Sequence, residues 1–119
     1  MNLVYVFIGG GLGSISRYVL SRLLSLSGLS FPLGTLVANI LASFLLGVLM
    51  ALAMQGSVSD RNKLILMTGF CGGFSTFSTF SADNFTLLES GSYALLILNI
   101  LLSVGLCIFF VLLGYRIVS

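Results

Sequence analysis

Long apolar runs, separated by short polar pieces, organise this chain. The runs extend from Leu3 to about Leu26, from about Leu33 to Met54, from Leu64 to about Leu88, and from Tyr93 to Val118. Between them lie "SLSGLSFP", which holds the only proline, Pro32, then "QGSVSDRNK" and "ESGS". Crossing the hydrocarbon core of a bilayer takes roughly 20 apolar residues per helix. The pattern therefore predicts an all-α membrane protein with four transmembrane helices, spanning about 3–26, 33–54, 64–88 and 93–118 of a single domain, residues 1–119. No charge block, long linker or internal repeat points to a second domain. The first run lacks a basic leader, and no small-residue cleavage site precedes Arg17 and Arg22. It is accordingly predicted as a helix of the mature protein and not a signal peptide.

Composition turns that pattern into a class. Of 119 residues, 58% are hydrophobic and only 7% charged, whereas soluble domains average about 25% charged. A soluble or nucleic-acid-binding domain is excluded, and the bilayer itself is the expected surround. The net charge is +2. With the N-terminus cytoplasmic, Arg61, Lys63 and Arg116 would lie on the cytoplasmic side and Arg22, with Arg17 at the margin of the first helix, on the other. Such a feeble bias orients the chain weakly. It permits insertion both ways, and so an antiparallel pair, but it equally permits one weakly specified topology.

The chemical inventory is short. There is no histidine, and the two cysteines, Cys71 and Cys107, fall in separate apolar runs without a CxxC spacing, so a zinc site has no raw material. The only acids are Asp60, Asp83 and Glu89. General acid–base catalysis needs several titratable groups converging on one place, and the chain is therefore predicted not to be an enzyme.

Uncharged polar residues inside the runs carry more information. In the second helix Thr35, Asn39, Ser43 and Gly47 recur every four residues, and in the fourth Asn99 and Ser103 share that spacing. Each set lines one helix face. Polar faces avoid lipid, so both stripes should turn toward protein or water. Interhelical hydrogen bonding explains any single residue; two aligned stripes together suit a polar pathway. In the first helix "GGGLGSISRY" places Gly9 and Gly13 at the GxxxG spacing of close helix contact. Arg17, one turn on, either snorkels to the interface or fixes a positive charge at a vestibule that gathers anions.

The third run is the least helix-like. "GFCGGFSTFSTFSADN", residues 69–84, mixes Gly69, Gly72 and Gly73 with Ser75, Thr76, Ser78, Thr79 and Ser81 and with four phenylalanines. Glycine leaves helical geometry easily, so the helix is predicted to open at Gly72 and Gly73. Unwound backbone at membrane depth persists only when buried in protein or lining a cavity, which implies something bound at the break. Freed carbonyls suit a cation; the N-terminus of the second half-helix favours an anion. Phe74, Phe77 and Phe80 recur every three residues and are expected to share a face. The positive ring edges of phenylalanine, alternating with hydroxyl and amide donors, would coordinate a small anion without a full charge to trap it.

These residues resemble a known family. "GFCGGFSTFSTF", with "GGGLGSISRY" upstream and "GTLVAN" opening the second helix, resembles the Fluc (CrcB-type) fluoride channels over essentially the whole chain. The resemblance implies an antiparallel, dual-topology homodimer with two fluoride pores and a sodium ion at the dimer centre. It implies pore phenylalanines at Phe77 and Phe80, an amide donor at Asn39, a pore hydroxyl at Thr79, a vestibule arginine at Arg17, and sodium held by the backbone carbonyls of Gly72 and Ser75. Ser75 stands where threonine is frequent, which a carbonyl ligand tolerates. Asp83 stands where glutamate is usual, one methylene shorter; Asn99, four residues before Ser103, stands where some members have tyrosine. The implied function is passive, fluoride-selective export across the cytoplasmic membrane of a bacterium or other microbe, with fluoride, a second copy of the chain and lipid as partners.

Two other classes share the composition. A small proton-coupled multidrug exporter would match in length, span count and dual topology, but such transporters carry a glutamate in the first helix, and this one has no acid there. A non-transporting membrane subunit would leave the hydroxyl-rich break without a purpose. Four helices also offer little wall for a selective pore, which favours a second copy.

Overall fold

A computed structural model describes residues 1–25 and 31–119. The predicted end of the first span at Leu26, and with it most of the first loop, lies outside the described residues. Among the described residues all regular secondary structure is helical, and it includes four helices long and apolar enough to cross a membrane. Here α1 is Asn2–Ser25, α2 is Leu33–Met54, α3 covers residues 60–74, α4 is Phe77–Glu89 and α5 is Tyr93–Val118. The third span comprises α3 and α4. The bundle measures 48 × 29 × 21 Å, long enough for a hydrocarbon core about 30 Å thick.

Helix ends follow from the sequence. Gly56 and Gly91 adopt φ of 75° and 76°, a region that glycine enters without steric cost. At each, two backbone bonds close the preceding helix: Gly56 N–H to Ala53 and Ser57 N–H to Leu52, then Gly91 N–H to Leu88 and Ser92 N–H to Leu87. That paired closure satisfies carbonyls a helix end would otherwise leave bare. Ser59 caps the start of α3 by accepting from Asn62 N–H. Asp60 and Lys63 form an exposed 3.8 Å pair, of a kind that adds little stability.

Packing is interleaved. α1 lies against α3, and α2 lies against α5. In the first pair Gly9 faces the Ile65 carbonyl, Gly13 faces Phe70 and Phe74 backbone, and Gly73 faces Gly10. In the second, Gly47 meets Val111 and Tyr115 backbone while Gly114 meets Phe44 and Val48. Each contact brings backbone against backbone, leaving no room for a Cβ. Lipid tails are as apolar as leucine, so such close van der Waals contact supplies much of the association between membrane helices. The GxxxG of α1 is thus occupied within the chain, and Gly47, counted in the polar stripe of α2, is a packing residue.

α3 is wider than an ordinary helix over Lys63–Cys71, where it is a π-helix. Its last turn, Gly72–Phe74, is α-helical. Ala38, Ala42 and Phe74 form the apolar centre, with Leu20 and Phe70 packed against them. Large apolar side chains on the outer faces of α1 and α5, including Phe7, Ile15, Leu101 and Ile108, remain exposed.

Candidate functional site

The third span does break, but not at its glycines. Gly72 has φ −64° and ψ −36°, an ordinary helical pair. The chain turns extended at Ser75 (φ −81°, ψ 156°) and Thr76 (φ −154°, ψ 125°). Gly73 stays helical because Gly10 backbone packs on it, so its missing side chain serves close approach. Gly72 has open space where a Cβ would stand.

Polar side chains set the position of the break. Thr76 N–H donates to Asn39 Oδ1 at 2.8 Å, and Asn39 Nδ2 donates to the Thr76 carbonyl at 3.3 Å. The primary amide of α2 thus pairs with a peptide group of the break as a second peptide would. Thr76 Oγ1 accepts from Thr79 N–H at 3.2 Å, capping α4 as threonine characteristically does. Ser75 Oγ donates back to the Cys71 carbonyl at 2.8 Å.

Counting carbonyls shows what the break exposes. In a continuous helix Gly72 would accept from Thr76 N–H and Ser75 from Thr79 N–H; both donors are taken elsewhere. Gly73 accepts from Arg17 Nε at 3.2 Å. Arg17 therefore reaches across from α1 to the end of α3 and clamps it through Nε.

The residues singled out by sequence fall into several places. Asn39, Ser75, Phe77, Phe80 and Ser103 line one cavity of about 260 Å³, together with Ser43. Its wall holds no charged side chain. The Phe77 and Phe80 rings lie 5.6 Å apart at 47°; Phe77 is 78% exposed. Phe74, expected on the same face, lies before the break and is buried in the core instead. Thr79 and Asp83 line a second cavity of about 400 Å³ with Thr35, where Thr35 Oγ1 donates to Asp83 Oδ2 at 2.7 Å. Gly72 and Ser75 line a third, about 140 Å³, which shares Ser43 and Ser75 with the first. Asn99 is buried, donating to Asn84 Oδ1 at 2.7 Å and accepting from Ser103 Oγ at 3.3 Å.

Thr76, Thr35, Ser43 and Asn84 are members of this polar system that the family resemblance did not single out. Thr35 and Ser43 were visible in the α2 stripe. For Asn84 a signal existed: a buried asparagine requires a partner, and Asn84 is the only other side-chain amide in α4 and α5. Among the described residues no cluster of three His, Cys, Asp or Glu could hold a metal.

Comparison with known proteins bears on this arrangement. Residues 4–115 match the family described as "CrcB-like protein, Camphor Resistance (CrcB)". A protein of Pyrococcus furiosus named "Fluoride-specific ion channel FluC" is 52% identical over 111 residues, covering 92% of this chain and 89% of its own. Relatives bearing the same name include one from Pyrococcus abyssi, 47% identical over 97% of this chain and 96% of its own. Another, from Shewanella halifaxensis, is 42% identical over 98% and 95% respectively.

Proposed function

The chain belongs to the CrcB family, and on that premise we propose that this multi-pass membrane protein is a fluoride-specific ion channel that lets cytoplasmic fluoride leave passively across the cytoplasmic membrane of a microbe. One observation carries the reading beyond the family name. In the cavity beside the break, the Phe77 and Phe80 rings share a wall with the Asn39 amide and the Ser43 hydroxyl, with no charged side chain in it. Fluoride holds its water strongly, so a selective path must replace that water with donors at close quarters. Amide and hydroxyl hydrogens and ring edges do so without an ammonium or guanidinium to trap the ion. Ser103 donates its hydroxyl hydrogen to Asn99 and would serve an anion only after turning that hydrogen into the cavity; Thr79 and Asp83 line the second cavity, toward which the path would continue.

We further propose that the working unit is an antiparallel homodimer. Phe77, a pore residue in this reading, is largely exposed in a single chain, and a second copy would complete the wall it lacks. A sodium ion at the centre of that dimer fits the residues present: the Gly72 and Ser75 carbonyls are among those freed at the break, their helical donors Thr76 and Thr79 N–H being bonded elsewhere, and oxygen ligands suit a hard cation. When bound, sodium supplies charge balance and ties the two breaks together; Gly72 and Ser75 of each copy would hold it.

The test is efflux from liposomes containing only this protein. Rapid fluoride release with negligible chloride release is expected; equal or absent fluxes would overturn the reading. Replacing sodium with a bulky organic cation should lower the melting temperature of the purified dimer, and an unchanged value would remove sodium from the scheme.

A further inference from the structure

We infer that Asn39 is the brace that holds the third span broken, a positioning role separate from any contact it makes with an anion. The inference rests on the carbonyl inventory at the break, and its cation consequence rests on the sodium reading above. Two adjacent outcomes compete for Thr76 N–H. Donation to the Gly72 carbonyl would extend α3 by another residue; donation to Asn39 Oδ1, at 2.8 Å, stops it.

No glycine conformation forces the choice. Gly72 is helical, Ser75 and Thr76 are extended without positive φ, and proline is absent from the segment. What distinguishes the observed state is the pair of bonds from one side chain, closed by Nδ2 to the Thr76 carbonyl at 3.3 Å. An amide side chain matches a peptide group donor for acceptor. An ionised Asp has no donor, and a Ser hydroxyl can donate and accept only through one atom on a shorter side chain. The local alternative also has a cost in membrane: a Thr76 N–H without an acceptor would be an unsatisfied donor in a water-poor setting. Asn39 therefore both stops α3 and frees the Gly72 carbonyl, linking the anion cavity to the proposed cation position through a single residue.

Arg17 and Thr76 complete the brace. Arg17 Nε on the Gly73 carbonyl ends the same turn from the α1 side, and the Thr76 hydroxyl starts α4. Asn39 is the member whose loss lets α3 continue.

The test uses the full chain, isotope-labelled, in lipid nanodiscs, with Asn39→Ala and Asn39→Asp beside the parent. Asp keeps an acceptor for Thr76 N–H but loses the donor; Ala loses both. In Asn39→Ala the Ser75 and Thr76 Cα shifts should move from extended toward helical values, or Thr76 amide exchange should rise at least tenfold; Asn39→Asp should fall between Ala and parent. The rise in melting temperature on adding sodium should disappear in Ala. Extended shifts and parent-like Thr76 protection in Asn39→Ala would overturn the brace, even with fluoride efflux abolished, since a residue that only donates to the anion loses flux without moving the backbone. Should Ala fail to assemble, parent-like shifts and protection in both Asn39→Asp and Asn39→Ser would overturn it equally. A parent protein indifferent to sodium would remove the cation reading while the backbone shifts still decide the brace.

Discussion

The two halves of the third span are held by opposite means. α3 sits against α1 through bare backbone: Gly9, Gly13 and Gly73 have no space for a side chain, and few polar groups take part. α4 buries only Leu87 and depends on side-chain hydrogen bonds instead, from Asn39 to Thr76, Thr35 to Asp83 and Asn99 to Asn84. The contrast teaches where rigidity and chemistry reside. Steric contact fixes α3 whatever ions are present, while α4 hangs from groups that an ion or water can also engage.

If that contrast holds, the largest effect on folding comes from filling a glycine contact. Gly13→Leu should abolish assembly, because its side chain would enter the Phe70 and Phe74 backbone; overpacking a tight site costs about 1–3 kcal/mol or more. Size-exclusion chromatography of the detergent-solubilised protein reads it, and elution identical to the parent's would break the comparison. Next is Phe80→Ile, which keeps apolar bulk but removes the ring that faces Phe77. Fluoride efflux from proteoliposomes should fall at least tenfold with elution unchanged.

Asn99→Ala should be milder for the fold. It strands Asn84 and Ser103, yet interhelical hydrogen bonds in membranes average about 0.6 kcal/mol. A small loss in thermal stability is expected, with a larger change in flux because the Ser103 hydroxyl hydrogen that Asn99 holds is released; the opposite ranking would place Asn99 among the structural contacts. The smallest effect belongs to Gly72→Ala, which has open space around it. Its melting temperature should stay within a degree or two of the parent, whereas Gly73→Ala should destabilise clearly. Equal behaviour of these neighbours would erase the distinction.

The helical class and its four apolar runs were legible because lipid solvation demands long, unbroken hydrophobicity, and Pro32, Gly56 and Gly91 punctuate them. The presence of a break was legible as well, in the crowding of small and hydroxyl residues over 69–81. Its position was not. Glycine signals permission to unwind, and at Gly73 the permission was used for packing; the decision was made by Asn39, 37 residues away in sequence. Regular spacing misled at Phe74 for the same reason: a period of three implies a shared face only while the helix continues. Arg17 likewise had two readings from sequence, and its bond to the Gly73 carbonyl gives it a third task.

The interleaved pairing has a consequence for how the chain is made. The partner of α1 is α3, and the partner of α2 is α5, so no two successive helices form a finished hairpin. A ribosome that has released α1 and α2 into the bilayer has delivered two glycine-notched surfaces whose complements are still unsynthesised. Gly9 and Gly13 wait for residues 65–74, and Gly47 waits longer, for Val111. The two pairs thus close in order, α1 with α3 first and α2 with α5 after it, and a chain stalled between the two displays the Gly47 notch to whatever chaperone or protease patrols the membrane.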